Sequence, residues 1–198
     1  MLTLERRLMI AALGLTPILA GWAAIARLNL QPDSQLWVEG TSTVRDFKCS
    51  ARTIDASIAT TRTDAAAAVY AGEKAVTTVT LQIPAAQLDC KNGQMNEHML
   101  KALKASANPI IAFELGSYEL VTSGKVQAKL TGTLKLGGVT KPITLDADLV
   151  QETPAGVRVK GSYDLRMTDF GLKPPSLMMG TMKVNEMVKV NFDLVLKD

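Results

Sequence analysis

The chain of 198 residues is poor in the side chains that carry most protein chemistry. It holds one histidine, two cysteines, two Trp, three Tyr and four Phe. One imidazole and two thiols cannot build a usual tetrahedral metal site. The carboxylates are dispersed singly, without the oxygen-rich loop of a calcium site. No phosphate-cradling glycine loop and no nucleophile elbow occurs. The formal charge is only +3, and lysines alternate with apolar residues instead of gathering on one face. That pattern speaks against a nucleic-acid binder, and scarce aromatics leave little for base stacking. The reading is therefore a chain with no metal, no nucleic-acid partner and no catalytic residue.

One stretch tests that reading. In "CKNGQMNEHMLKALKASANPIIAFEL", residues 90–115, Cys90 lies close to the only histidine, His98. A thiol nucleophile needs a base and a group to orient it, and no second histidine exists to help. The same segment reads as a helix near 96–106. Asn92-Gly93 signals a turn, Asn96 sits at a capping position, and Met95, Met99, Ala102 and Leu103 recur at helical spacing. Asn108-Pro109 is expected to stop the helix. The helix should pack over a barrel end or outer face, with His98 a structural residue near its solvent edge.

Apolar residues are plentiful, beginning at the start. After "MLTLERR", residues 8–26 form an uncharged apolar run ending in the small-x-small triplet Ala24-Ile25-Ala26. Residues 1–26 are expected to be a signal peptide or an N-terminal membrane anchor. Either places the rest of the chain outside the cytoplasm, in the periplasm or secreted. In such an oxidising compartment Cys49 and Cys90 are expected to pair. Residues 27–35 read as a polar linker, and 36–198 as the folded domain.

Within that domain the hydrophobic period is two, the mark of strands. In 125–136, Val126, Ala128, Leu130, Leu134 and Leu136 share one side while lysines and threonines take the other. Gly137-Gly138 supplies a tight turn. Ile143, Leu145, Ala147 and Leu149 then align, as do Val157, Val159, Tyr163 and Leu165, and finally Val188, Val190, Phe192 and Leu194. About eight strands with short connections and one wet face point to a mainly β, antiparallel barrel; a two-sheet sandwich is the alternative. Alternation alone leaves open whether the interior is packed or hollow.

A methionine-rich stretch, 169–187, carries Met178, Met179, Met182 and Met187. Thioethers suit cuprous copper, but flexible methionines also fill gaps or adapt to a greasy ligand.

Four segments, in order, resemble the YceI-like proteins: "GTSTVRDFKCSA", "NEHMLKALKASANPIIAFEL", "LTGTLKLGGVTKPITLDADL", and "MTDFGLKPPS" followed by "VNEMVKVNFDLVL". The resemblance covers about residues 36–197. It implies a lipocalin-like, eight-stranded antiparallel barrel with an elongated apolar cavity. It also implies an exported binder of polyisoprenoids or other long-chain amphiphiles. Thr41-Ser42 stands where many members carry His-Ser, so no role of that histidine transfers. The expected lipid-binding lining is Phe113, Leu115, Val126, Leu130, Leu134 and Leu145, with Tyr163, Leu165, Phe170 and Phe192, and Met178 and Met179 near the opening. Arg45, Lys104 and Lys173 are expected at the head group. The expected function is a non-enzymatic carrier needing no cofactor, its bound group an isoprenoid, quinone or fatty-chain lipid. The alternative is a packed β-domain acting by surface contact with a membrane electron-transfer partner.

Overall fold

The structure, a computed structural model, describes residues 26–152, 155–177 and 181–198. The expected leader up to Ile25, and Met178 and Met179, lie outside the described residues. One antiparallel sheet contains β1 (Ala26–Leu30), β2 (Gln35–Ser42), β3 (Phe47–Ala51), β4 (Asp55–Thr60), β5 (Val76–Pro84), β6 (Leu88–Asp89), β7 (Ile110–Val121), β8 (Val126–Leu136), β9 (Val139–Glu152), β10 (Gly156–Arg166) and β12 (Met182–Lys197). The short β11 (Ser176–Leu177) hairpins onto the start of β12.

The register reduces these segments to eight long walls. Leu28 pairs with Ile58 and Val38 with Cys49, so β1–β2 runs as one interrupted strand beside β3–β4. Ala51 pairs with Leu88 and Ile58 with Val79, so β5–β6 continues beside them in the same way. The remaining walls follow in chain order. The last one, β12, returns to pair with both β1 and β2. The result is a closed up-and-down barrel of eight walls, which leaves no long sheet edge exposed.

Residues 27–35 are thus not a linker. Arg27 and Leu28 are paired wall residues, and Leu28 is buried. Arg27-Leu28-Asn29-Leu30 carries the strand alternation, but the turn at 31–34 cuts it to one short period. That turn is tied to the last wall: the Ser34 hydroxyl accepts from the Val195 N–H at 2.9 Å.

Each barrel end has a helix. At one end α1 (Ala65–Tyr70) buries Ala65, Ala66, Ala68 and Val69. It packs with Leu28, Ile58, Leu149, Val157 and Leu196 as a solid plug. At the other end α2 (Gly93–Ala102) lies across the rim. It begins earlier than expected because Asn92, not Asn96, caps it; the Asn92 Oδ1 accepts from the Met95 N–H at 2.9 Å. Asn96 instead accepts from the Cys90 N–H at 2.8 Å and donates to Asp89 at 2.9 Å. It also ends earlier. Lys104 takes a left-handed conformation, φ 53°, so the helix stops there and Pro109 only precedes the next strand. The expected Gly137-Gly138 turn is present, with φ of 57° and 88°, the two positive angles that a tight hairpin demands.

Candidate functional site

The barrel is hollow. A cavity of about 730 Å³ runs from Val69 of α1 at the closed end to α2 at the open end. It is lined by inward-facing residues of all eight long walls. Leu115, Leu130, Leu134, Leu145, Tyr163 and Phe192 point into it yet are only half-buried. Their uncovered surface faces the lumen, which is how an unfilled interior differs from a packed core.

Three phenylalanines on the lining lie over glycines. A Cβ on Gly40 would sit 2.4 Å from the Phe47 ring, one on Gly132 2.7 Å from Phe113, and one on Gly161 2.5 Å from Phe192. Gly40 and Phe47 are cross-strand partners, as are Gly161 and Phe192. With no side chain beneath them, the rings lie back against the wall and leave the axis clear.

The polar lining is sparse and mostly collected at the open end. Ser42 ends β2, Arg45 lies in the β2–β3 connection, and Asn92, Gln94 and His98 come from the start of α2. Pro175, Met182 and Val184 complete this rim. Deeper inside, the Tyr118 hydroxyl accepts from the Val76 N–H at 3.0 Å and so stays satisfied against the wall. An apolar tube with a few polar groups at one mouth can exclude water from a hydrocarbon chain while leaving a head group wet.

The inward face of α2 bears Met95, His98, Met99 and Ala102. His98 is therefore half-buried at the mouth rather than at the helix's solvent edge. It faces inward because the helix starts at Gly93 and lies with its apolar stripe on the opening. A Cys49–Cys90 disulfide holds the chain at the start of this helix to β3, and both cysteines border the cavity. The Cys90 sulfur is 3.7 Å from Met99 Sδ. Beside the disulfide, Asp89 accepts from the Asn96 amide and from the Lys91 N–H at 2.9 Å, and pairs with Arg52 at 2.7 Å. These contacts, the Asn96 amide foremost, hold its carboxyl down from 3.8 to about 2.

Of the residues expected from sequence to face a ligand, Phe113, Leu115, Leu130, Leu134, Leu145, Tyr163, Leu165, Phe192 and Arg45 line the cavity. Val126 and Phe170 do not. Val126 packs against the α1 plug, and Phe170, 2 % exposed, fills the core beside Leu172. Lys104 is turned outward, donating to the Gly171 carbonyl at 2.9 Å, and Lys173 is exposed outside the lining. Sequence reasoning missed Tyr118 and Leu120. The register shifts between Leu115 and Ser117, a bulge that moves the inward set from odd to even positions. Gly116 in mid-strand was the available signal.

The profile of the YceI-like domain matches residues 34–196. A curated relative, a UPF0312 protein of Pseudomonas aeruginosa (strain LESB58), is 36% identical over 93 residues, 43% of this chain and 47% of that protein. A UPF0312 protein of Vibrio cholerae is 28% identical over 104 residues, 50% of this chain and 55% of its own length. The chain thus spans about half the length of the curated relatives it matches. Among solved structures, Burkholderia cenocepacia BcnA superposes with a TM-score of 0.67 at 15% identity, covering 84% of this chain and 99% of BcnA. A polyisoprenoid binding domain from Saccharophagus degradans gives 0.61 at 14% identity, covering 88% and 99%. These two share the fold.

Proposed function

We propose, from the premise that this chain belongs to the YceI-like domain family, that it is a non-enzymatic carrier of a long-chain amphiphile. An isoprenoid tail lies along the barrel lumen and its head group rests at the mouth. The observation that carries this reading is the apolar cavity of about 730 Å³, within the roughly 300–1,000 Å³ of ordinary ligand sites. Each methylene moved from water into such a lumen gains about 0.8 kcal/mol. The tail therefore supplies the affinity, and the polar groups at the rim need only orient the head.

The likeness to a domain described as polyisoprenoid binding supports an isoprenoid over a compact ligand. The disulfide supports export to an oxidising compartment. The cavity favours the carrier reading over a packed interior. The carrier reading requires no catalytic group; His98 and the bonded cysteines border the lumen as wall and lid residues.

Native protein, purified from its own compartment, is extracted into organic solvent and the extract read by mass spectrometry. A single long-chain species in near-stoichiometric amount is expected. A reproducibly empty protein that also fails to take up hydrophobic fluorescent probes sinks the proposal.

A further inference from the structure

The two ends of the barrel differ in charge. The closed-end connections and strand ends carry Arg27, Arg62, Lys74, Lys125 and Lys197 against Asp64, Glu73, Glu152 and Asp198, a nearly balanced set. Arg62 there is ion-paired with both Asp64 and Glu73. The open-end connections and the start of β12 carry six cations, Arg45, Lys91, Lys101, Lys104, Lys173 and Lys183, against Asp46, Glu97 and Asp169. All six are exposed, and among the described residues none forms an ion pair with a carboxylate. Beside Arg45, at the tip of the β2–β3 connection, Val44 is 63% exposed, the most exposed large apolar side chain among the described residues.

These cations are not placed to read a ligand inside the cavity. Only Arg45 lines it; the five lysines lie outside the lining, in the open-end connections and at the start of β12. We infer that the open end is a docking surface for a bilayer rich in acidic phospholipid. The rim lysines meet the head groups, Val44 enters the interfacial layer, and the mouth faces the membrane. Each basic residue near an anionic surface raises affinity about fivefold, so several give reversible, salt-sensitive docking, which suits exchange better than anchoring. The inference goes beyond the carrier reading and does not require the lumen to hold an isoprenoid.

The exported protein is mixed with vesicles of phosphatidylcholine alone or with about 30% phosphatidylglycerol, and sedimentation is measured. At least roughly tenfold tighter binding to the acidic vesicles is expected, lost as salt rises from about 50 to about 500 mM. The Lys91→Gln/Lys101→Gln/Lys173→Gln/Lys183→Gln variant should bind acidic vesicles no better than neutral ones. The closed-end control, Lys74→Gln/Lys125→Gln, should keep the preference. A Val44→Trp reporter should shift to the blue with acidic vesicles only. Equal binding to both compositions, or an equal loss in the control, overturns the docking surface and leaves the carrier reading untouched. Acidic-vesicle binding by a protein whose extract is empty upholds the surface while the carrier reading fails.

Discussion

A side chain too few decides the width of the lumen. Aromatic rings at inward positions would ordinarily reach across a narrow barrel. Here Phe47, Phe113 and Phe192 rest over Gly40, Gly132 and Gly161. The same glycines weaken their strands by lost entropy, and the covering rings offset part of that. Gly161→Val is the direct test. Its Cβ would meet the Phe192 ring at 2.5 Å and the Asp146 carbonyl at 2.6 Å. The ring can swing into the lumen, but the backbone cannot yield as easily. A loss of about 1–3 kcal/mol in denaturant unfolding and weaker uptake of a hydrophobic probe are expected together. Loss of stability with undiminished uptake would show that the ring's position does not set the lumen.

At the scale of the element, α2 acts as a lid with few anchors of its own. None of its residues is fully buried, so its position depends on its ends. The disulfide closes a loop of sequence separation 41, worth about 4 kcal/mol by chain entropy. Replacing both cysteines with alanine should lower unfolding stability by up to about that amount, and native-state hydrogen exchange should find the first turn of α2 the least protected helix. Unchanged α2 protection would mean that the lid is held by packing alone. The second anchor is Asp89. Its folded carboxyl titrates near 2, below the usual 3.8, so the ionised form is the bound form. Its contribution is complete above about pH 4 and is lost as pH falls from there through 2. Protection of the α2 amides should fall across that window, and Asp89→Asn should remove the step. A step that survives in Asp89→Asn belongs to another group.

For the whole molecule, closure and hollowness are separate matters. Closure follows from β12 meeting both β10 and the β1–β2 wall. Hollowness follows from which residues occupy the inward positions. Leu130→Trp enlarges a side chain at mid-barrel. In a solid core such overpacking costs about 1–3 kcal/mol; in this lumen the cost should be below about 1 kcal/mol, while lipid uptake falls. A large loss of stability would mean that the interior has no space to give. The open end's cations, which among the described residues have no carboxylate partner, belong to this scale too, since no single strand carries them.

Much of the fold was legible in sequence because β alternation has period two, and inward residues such as Leu130, Leu134 and Leu145 fall on it. The helix was legible as an apolar stripe, but its first residue was not. Asn92 and Asn96 are both able caps, and only the contact of Asn96 with Asp89 decides between them. The inward role of Tyr118 was hidden because one bulge reverses parity, and the place of β1 was hidden because its alternation lasts only four residues.

By itself, then, the sequence determined the strands, their greasy faces, the family and a pair of cysteines fit to join. Local periodicity is enough for these, since each residue needs only its near neighbours. Only the tertiary structure decided that the walls close on empty space, that the helix covers one end, and that six scattered cations gather round one mouth. Those depend on residues distant in the chain: a glycine beneath a ring on the next strand, and an asparagine reaching an aspartate across a turn.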